Sequence, residues 1–189
     1  MKIRELGEIL RQLPYYTREN LGMALGKEGE NLNYWIKKLV RDGWLIPVKK
    51  GMYISEIYPK TETYWEQLAN AVRNPSYISL EYVLAKYGLI AEVPAAITSV
   101  TLKSPRVYTA GKVKLVYRNI KPDLFSDYRS ESVKMAYPYK ALFDYLYLRS
   151  MGKENRINWE ELDEQGRQEF IRVCAESKSV KMNKIAAKV

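Results

Sequence analysis

The first 58 residues confine the fold more than any other stretch. Three apolar-periodic segments are followed at once by two β-type runs around a glycine turn. Ile3, Leu6, Ile9, Leu10 and Leu13 recur at helical spacing, and Pro14 stops that helix. Thr17 is the expected cap of a short second helix over 21–25, and Gly26 and Gly29 bracket the turn after it. A third helix is predicted over 30–42, with Leu32, Trp35, Ile36, Leu39 and Val40 as its apolar positions and Gly43 as its stop. Residues 44–48 and 52–54 then flank Lys49-Lys50-Gly51 as a hairpin. Three helices and a hairpin in this space make a winged helix-turn-helix.

If Leu32, Trp35, Ile36 and Leu39 face inward, then Asn31, Asn33, Tyr34, Lys37, Lys38 and Arg41 face out. An exposed helix of this diameter fits the major groove of B-DNA. Near its N-terminus Asn33 carries the donor–acceptor pair that addresses adenine, and Lys37 addresses guanine. Lys38 and Arg41 are placed for phosphates, and Lys49 and Lys50 for the backbone or the neighbouring minor groove. Between Asn31 and Gly51 stand five basic residues and one acid, Asp42. A solvated amphipathic face is the alternative for the helix as a whole. Asn33 reads equally as an ordinary surface residue, and Tyr34 as one that packs on the hairpin.

The expected boundary follows Tyr58, dividing a DNA-binding domain at 1–58 from a mixed α/β domain at 59–189. Helices are predicted over 63–72 and 80–87, and strands over 97–103, 106–109 and 113–118, forming a small antiparallel sheet. Helices return over 139–149 and after Asn158, which with Glu161 has the spacing of a capping box. Ser79 is the expected N-cap of the second of these helices and Gly88 its stop. The class is α+β. Arg118 and Lys121, at a strand end, are candidates for auxiliary phosphate contact; a solvated edge is the equal alternative. Lys178, Lys181, Lys184 and Lys188 fall on one side of a terminal helix, opposite Met182, Ile185, Ala186 and Val189. That pattern suits packing with auxiliary phosphate contact.

Composition removes many functions. There is no histidine and one cysteine, Cys174, which excludes imidazole-based nucleophilic catalysis, histidine-containing zinc sites and disulfide scaffolds. No Gly-x-x-x-x-Gly-Lys loop is present, and no cofactor or metal is implied. No signal peptide or membrane span is read, so the expectation is a cytoplasmic protein. The 31 Lys and Arg exceed the 22 Asp and Glu by nine, the electrostatic footprint of a nucleic-acid binder. The excess lies outside 130–177, which is net acidic.

The order of short motifs is similar to that of the AbiEi family, antitoxins of type IV toxin–antitoxin systems. The residues are Leu39-Val40-Arg41-Asp42-Gly43-Trp44-Leu45, Lys50-Gly51-Met52-Tyr53-Ile54, Ser79-Leu80-Glu81, Tyr87-Gly88-Leu89-Ile90 and Ile97-Thr98-Ser99-Val100-Thr101. Tyr117-Arg118-Asn119-Ile120-Lys121 and Ala136-Tyr137-Pro138-Tyr139-Lys140-Ala141-Leu142 complete the set. The resemblance implies an N-terminal winged helix and a C-terminal antitoxin domain. It also implies repression of the protein's own promoter in double-stranded DNA; the helix-turn-helix reading adds inverted repeats as the site, bound by a dimer or by separate monomers. The functional partner it implies is a nucleotidyltransferase toxin, without specifying direct contact. In one departure, the family's Pro-Glu-Lys-Ala-Leu has Tyr139 where the acid stands.

Two other classes fit parts of the sequence. Sixteen tyrosines and four tryptophans suit an interaction module whose DNA affinity is incidental. Asp123 with Glu176-Ser177-Lys178 superficially matches the acid-and-lysine set of a winged-helix-fused nuclease. The predicted helical setting of Glu176 makes that a chance match, and the expectation is a protein that is not an enzyme.

Overall fold

The computed structural model describes residues 3–149 and 156–189. The chain is α+β and divides into two compact units, Met1–Leu68 with Tyr108–Lys114, and Ala69–Val107 with Leu115–Val189. The division falls within the helix Glu62–Val72, ten residues after Tyr58.

The first unit contains α1 (Ile3–Leu10), β1 (Tyr16–Thr17), α2 (Arg18–Leu25), α3 (Gly29–Arg41), β2 (Leu45–Lys49) and β3 (Met52–Ser55). Leu6, Leu10, Leu21, Leu25, Leu32 and Leu39 meet in its core. Thr17 caps α2, its hydroxyl accepting from Asn20 N at 3.3 Å. α3 ends where Gly43 turns left-handed at φ +78°. Trp44 N then donates to Leu39 O at 2.9 Å and Gly43 N to Val40 O at 3.2 Å, a Schellman closure. Trp35 is half-buried rather than fully inward. β1 is an element that periodicity did not reveal. Its two residues pair with β3, Tyr16 opposite Tyr53 and Thr17 opposite Met52, giving the sheet order β1-β3-β2. Pro47 sits on the edge strand β2, beside a shift in register, the setting in which a sheet tolerates a residue without an N–H.

The helix α4 (Glu62–Val72) leads into the second unit, which has β4 (Ser76–Ile78), α5 (Glu81–Lys86) and β5 (Ile97–Thr101), and shares with the first unit β6 (Arg106–Ala110) and β7 (Val113–Asn119), whose residues 108–114 belong to the first. β8 (Tyr128–Ser130), β9 (Lys134–Ala136), α6 (Pro138–Leu148), α7 (Glu164–Glu176) and α8 (Val180–Ala186) complete it. The expected small antiparallel sheet is instead a six-stranded mixed one, ordered β6-β7-β5-β4-β9-β8. β4 pairs antiparallel with β5 but parallel with β9, and β5 runs parallel to β7. Three of its strands, β4, β8 and β9, are three residues long, too short to express an alternation.

Two expected caps are replaced. Leu80, at φ +63°, stands at the N-cap of α5, and Thr98 Oγ1 accepts from Tyr82 N at 3.0 Å. Ser79 turns inward instead. Asn158 precedes a one-turn 3-10 segment, Trp159–Glu161, without a side-chain cap. Asp163 caps α7, accepting from Gly166 N at 2.7 Å. Gly88 does end α5, at φ +74°, with Leu89 N donating to Leu84 O at 2.8 Å. Among the described residues no helix is long and apolar enough to cross a membrane.

Candidate nucleic-acid interface

Burial of Leu32, Ile36 and Leu39 fixes the roll of α3. Asn31, Tyr34, Lys37 and Arg41 are thereby exposed, while Asn33 and Lys38 are half-buried. Tyr34 keeps 60% of its surface in solvent and meets Trp35 edge-on at 6.4 Å, so its ring is not packed away on the hairpin. Asn33 Nδ2 donates to Glu30 Oε1 at 3.1 Å, which holds its amide near the helix N-terminus. Lys37 has no ion-pair partner among the described residues. Lys38 and Arg41 share Asp42, at 3.0 and 3.2 Å. Hydrogen bonds from Lys38 and then Arg41 hold the Asp42 carboxyl below its ordinary value. Such solvent-exposed pairs are weak, so an incoming phosphate competes for both cations at small cost.

The hairpin supplies the rest of the surface. Gly51, at φ +73°, closes the turn, leaving Lys50 exposed and Lys49 half-buried. Arg18 N donates to Gly51 O at 3.0 Å, joining the start of α2 to the hairpin turn.

Sequence reading missed a groove of about 780 Å³ between α2 and α3, lined by Arg18, Met23, Lys27 and Asn31. Lys27 Nζ lies 5.9 Å from the Trp35 ring centre, and Met23 is 78% exposed. The available signal was Gly22. A Cβ there would stand 3.0 Å from Leu32 Cδ2 and from Lys27 O, so α2 and α3 approach closely at a residue without a side chain.

The auxiliary cations are scattered through the second unit. Arg118 and Lys121 are exposed. The four tail lysines do not share a helical face, because Lys178 precedes α8 with φ +54° and Lys188 follows it. Lys181 is corrected outright: its ammonium donates to the carbonyls of Leu146, Tyr147 and Arg149 at the C-terminal end of α6, the negative end of that helix dipole. Lys184 and Lys188 are exposed, while Met182 and Ile185 pack inward.

The motif Pro138–Leu142 hides a charge pair that no periodicity signalled. Lys140 and Asp144 are both fully buried on α6 and bonded to each other. Asp144 also accepts from Ser79 Oγ at 2.7 Å and from Tyr77 OH at 3.0 Å. Burial raises the Asp144 carboxyl above its ordinary value, against the lowering effect of Lys140, Ser79 and Tyr77. The Lys140 ammonium lies over the rings of Phe143 and Tyr77, at 5.1 and 5.6 Å. Tyr139, next along the helix, donates to Asp127 Oδ1 at 3.2 Å, and Asp127 pairs with Arg172 at 2.6 Å. Burial and the neighbouring Asp127 push the Tyr139 hydroxyl up to about 12.

Glu176 is bound to Arg172 at 2.8 Å, and Asp123 is exposed on a 3-10 turn. Among the described residues no group of three or more acidic, cysteine or histidine side chains is placed to hold a metal ion. Neither a scan against protein-family models nor a comparison with curated proteins finds a match to this chain.

Proposed function

We propose that this chain is a DNA-binding protein of the winged helix-turn-helix class. α3 enters the major groove with Asn31, Asn33 and Lys37 toward base edges, and Lys38 and Arg41 toward phosphates. The β2–β3 hairpin rests Lys49 and Lys50 against the backbone. The observation that carries this reading is the joint exposure of Lys37, Arg41 and Lys50 on one compact unit. With the motif order described above, the reading narrows to an AbiEi-like antitoxin. It represses transcription from its own promoter and counteracts a nucleotidyltransferase toxin.

The protein is expected to retard DNA from its own upstream region more strongly than a scrambled duplex, with affinity falling steeply as salt rises. Replacing Lys37 and Arg41 by alanine is expected to remove that preference without unfolding the protein. Equal binding to the scrambled duplex, or a preference unchanged in the variant, sinks the proposal.

A further inference from the structure

Residues 93–122 contain Lys103, Arg106, Lys112, Lys114, Arg118 and Lys121 and not a single Asp or Glu. Four of them, Lys103, Arg106, Arg118 and Lys121, belong to the second unit. The parallel pairing of β5 and β7 sets Val100 beside Arg118 and Thr101 beside Asn119. Both strands therefore leave the sheet at the same end, one through Lys103 and Arg106, the other through Lys121. Asn119 Nδ2 ties the exits together, donating to Thr101 O at 3.4 Å and Lys103 O at 3.2 Å.

Arg118, Asn119 and Pro105 line one side of a cleft of about 380 Å³, and Glu81 and Arg149 the other. Its single acid, Glu81, is already paired with Arg149. Lys103, Arg106, Arg118 and Lys121 are all exposed, and none of their side chains has an ion pair among the described residues.

Protection of a sheet edge accounts for little of this. Edge strands carry lysines to block pairing with other chains, but only Arg106 lies on an edge strand. β7 is flanked on both sides, and Lys103 and Lys121 lie beyond the strand ends. Gathering unpaired cations at the carboxyl ends of a parallel pair is instead the chemistry of phosphate recognition.

We propose that the exits of β5 and β7 form a second phosphate-binding surface, which grips the nucleic-acid backbone without reading sequence and independently of α3. No aromatic ring lines the cleft to stack a base and no glycine-rich loop cradles a triphosphate, so the occupant is a phosphodiester chain rather than a free nucleotide.

The test is fluorescence anisotropy of the full chain on a labelled duplex of arbitrary sequence, across a chloride titration. The Lys37→Ala, Arg41→Ala variant is expected to retain binding. Adding Lys103→Ala, Arg106→Ala, Arg118→Ala and Lys121→Ala is expected to remove it. Placed in the otherwise native chain, those four substitutions should flatten the slope of log affinity against log salt by about 3 to 4, at roughly 0.9 per phosphate contact. If the four together unfold the protein, the Lys103→Ala, Lys121→Ala pair should give about half that change. Affinity and slope unchanged in these variants overturn the proposal. Abolition of arbitrary-duplex binding by the α3 substitutions alone overturns it too, while leaving α3 as the reading helix. Displacement of the duplex by ATP, at ionic strength matched with chloride, overturns the backbone assignment.

Discussion

Lys140→Met puts the buried pair of α6 under direct test. The methionine preserves an unbranched chain among residues 140–146, all of them buried, so little packing is lost with the ammonium. Asp144 then keeps only its two hydroxyl donors, Ser79 and Tyr77. A buried carboxylate stripped of its cation costs about 3–5 kcal/mol. The folded protein has a second option, which is to protonate the carboxyl. At pH 7 that costs about 4 kcal/mol, from 1.36 kcal/mol per unit over the three units above an ordinary aspartate. The loss at pH 7 is therefore expected at about 3–4 kcal/mol. The variant's folded state holds a proton that its unfolded state releases, so its deficit shrinks as pH falls. At pH 5 about 1.5 kcal/mol is expected to remain. Urea unfolding followed by circular dichroism at pH 5, 6 and 7 reads both numbers. Lys140→Met with Asp144→Leu removes both charges and should abolish the pH dependence, leaving the cost of two unpaired hydroxyls. A pH 7 loss below about 1 kcal/mol, or a deficit that does not change with pH, refutes an ionised pair in this core.

Gly22→Ala forces a Cβ against Leu32 and the Lys27 carbonyl. It should cost about 1–3 kcal/mol in urea unfolding and weaken binding to upstream DNA beyond what the lost stability explains, because the tilt of α3 changes. Equal affinity at full folding would detach α3 from DNA reading. Burial pushes the Cys174 thiol up to about 12, so a thiol reagent at pH 8 should label it only when the second unit unfolds. Prompt labelling of the native protein would place the sulfur at the surface.

The first unit was largely open to reading because its signals are local. Thr17, Gly43 and Gly51 act on their own backbone, and the apolar positions of α3 repeat often enough to define a face. β1 escaped because two residues cannot alternate; what defines them is pairing with Tyr53 and Met52, far along the chain. In the second unit the governing contacts are non-local. Ser79 has the chemistry of a cap, but Asp144, 65 residues away, takes its hydroxyl. Lys181 looks like a surface cation until the end of α6 is placed beside it. The four cations at the exits of β5 and β7 are separate in sequence, and only the parallel register joins them. Lys37 and Arg41, read as outward from the burial of their neighbours, and Lys50, read from its place in the hairpin turn, are exposed, whereas Asn33, Lys38 and Lys49 are half-buried.

The two-residue strand β1 has a mechanical consequence. A free hairpin is marginal in water and swings at its base. Here β3 is held between β2 and β1, and the Arg18 amide fastens the turn itself at Gly51. Lys49 and Lys50 thus ride on a strut braced to the first residue of α2. The entropy of fixing that arm is spent when the chain folds, before any partner arrives, and none of it is subtracted from the encounter.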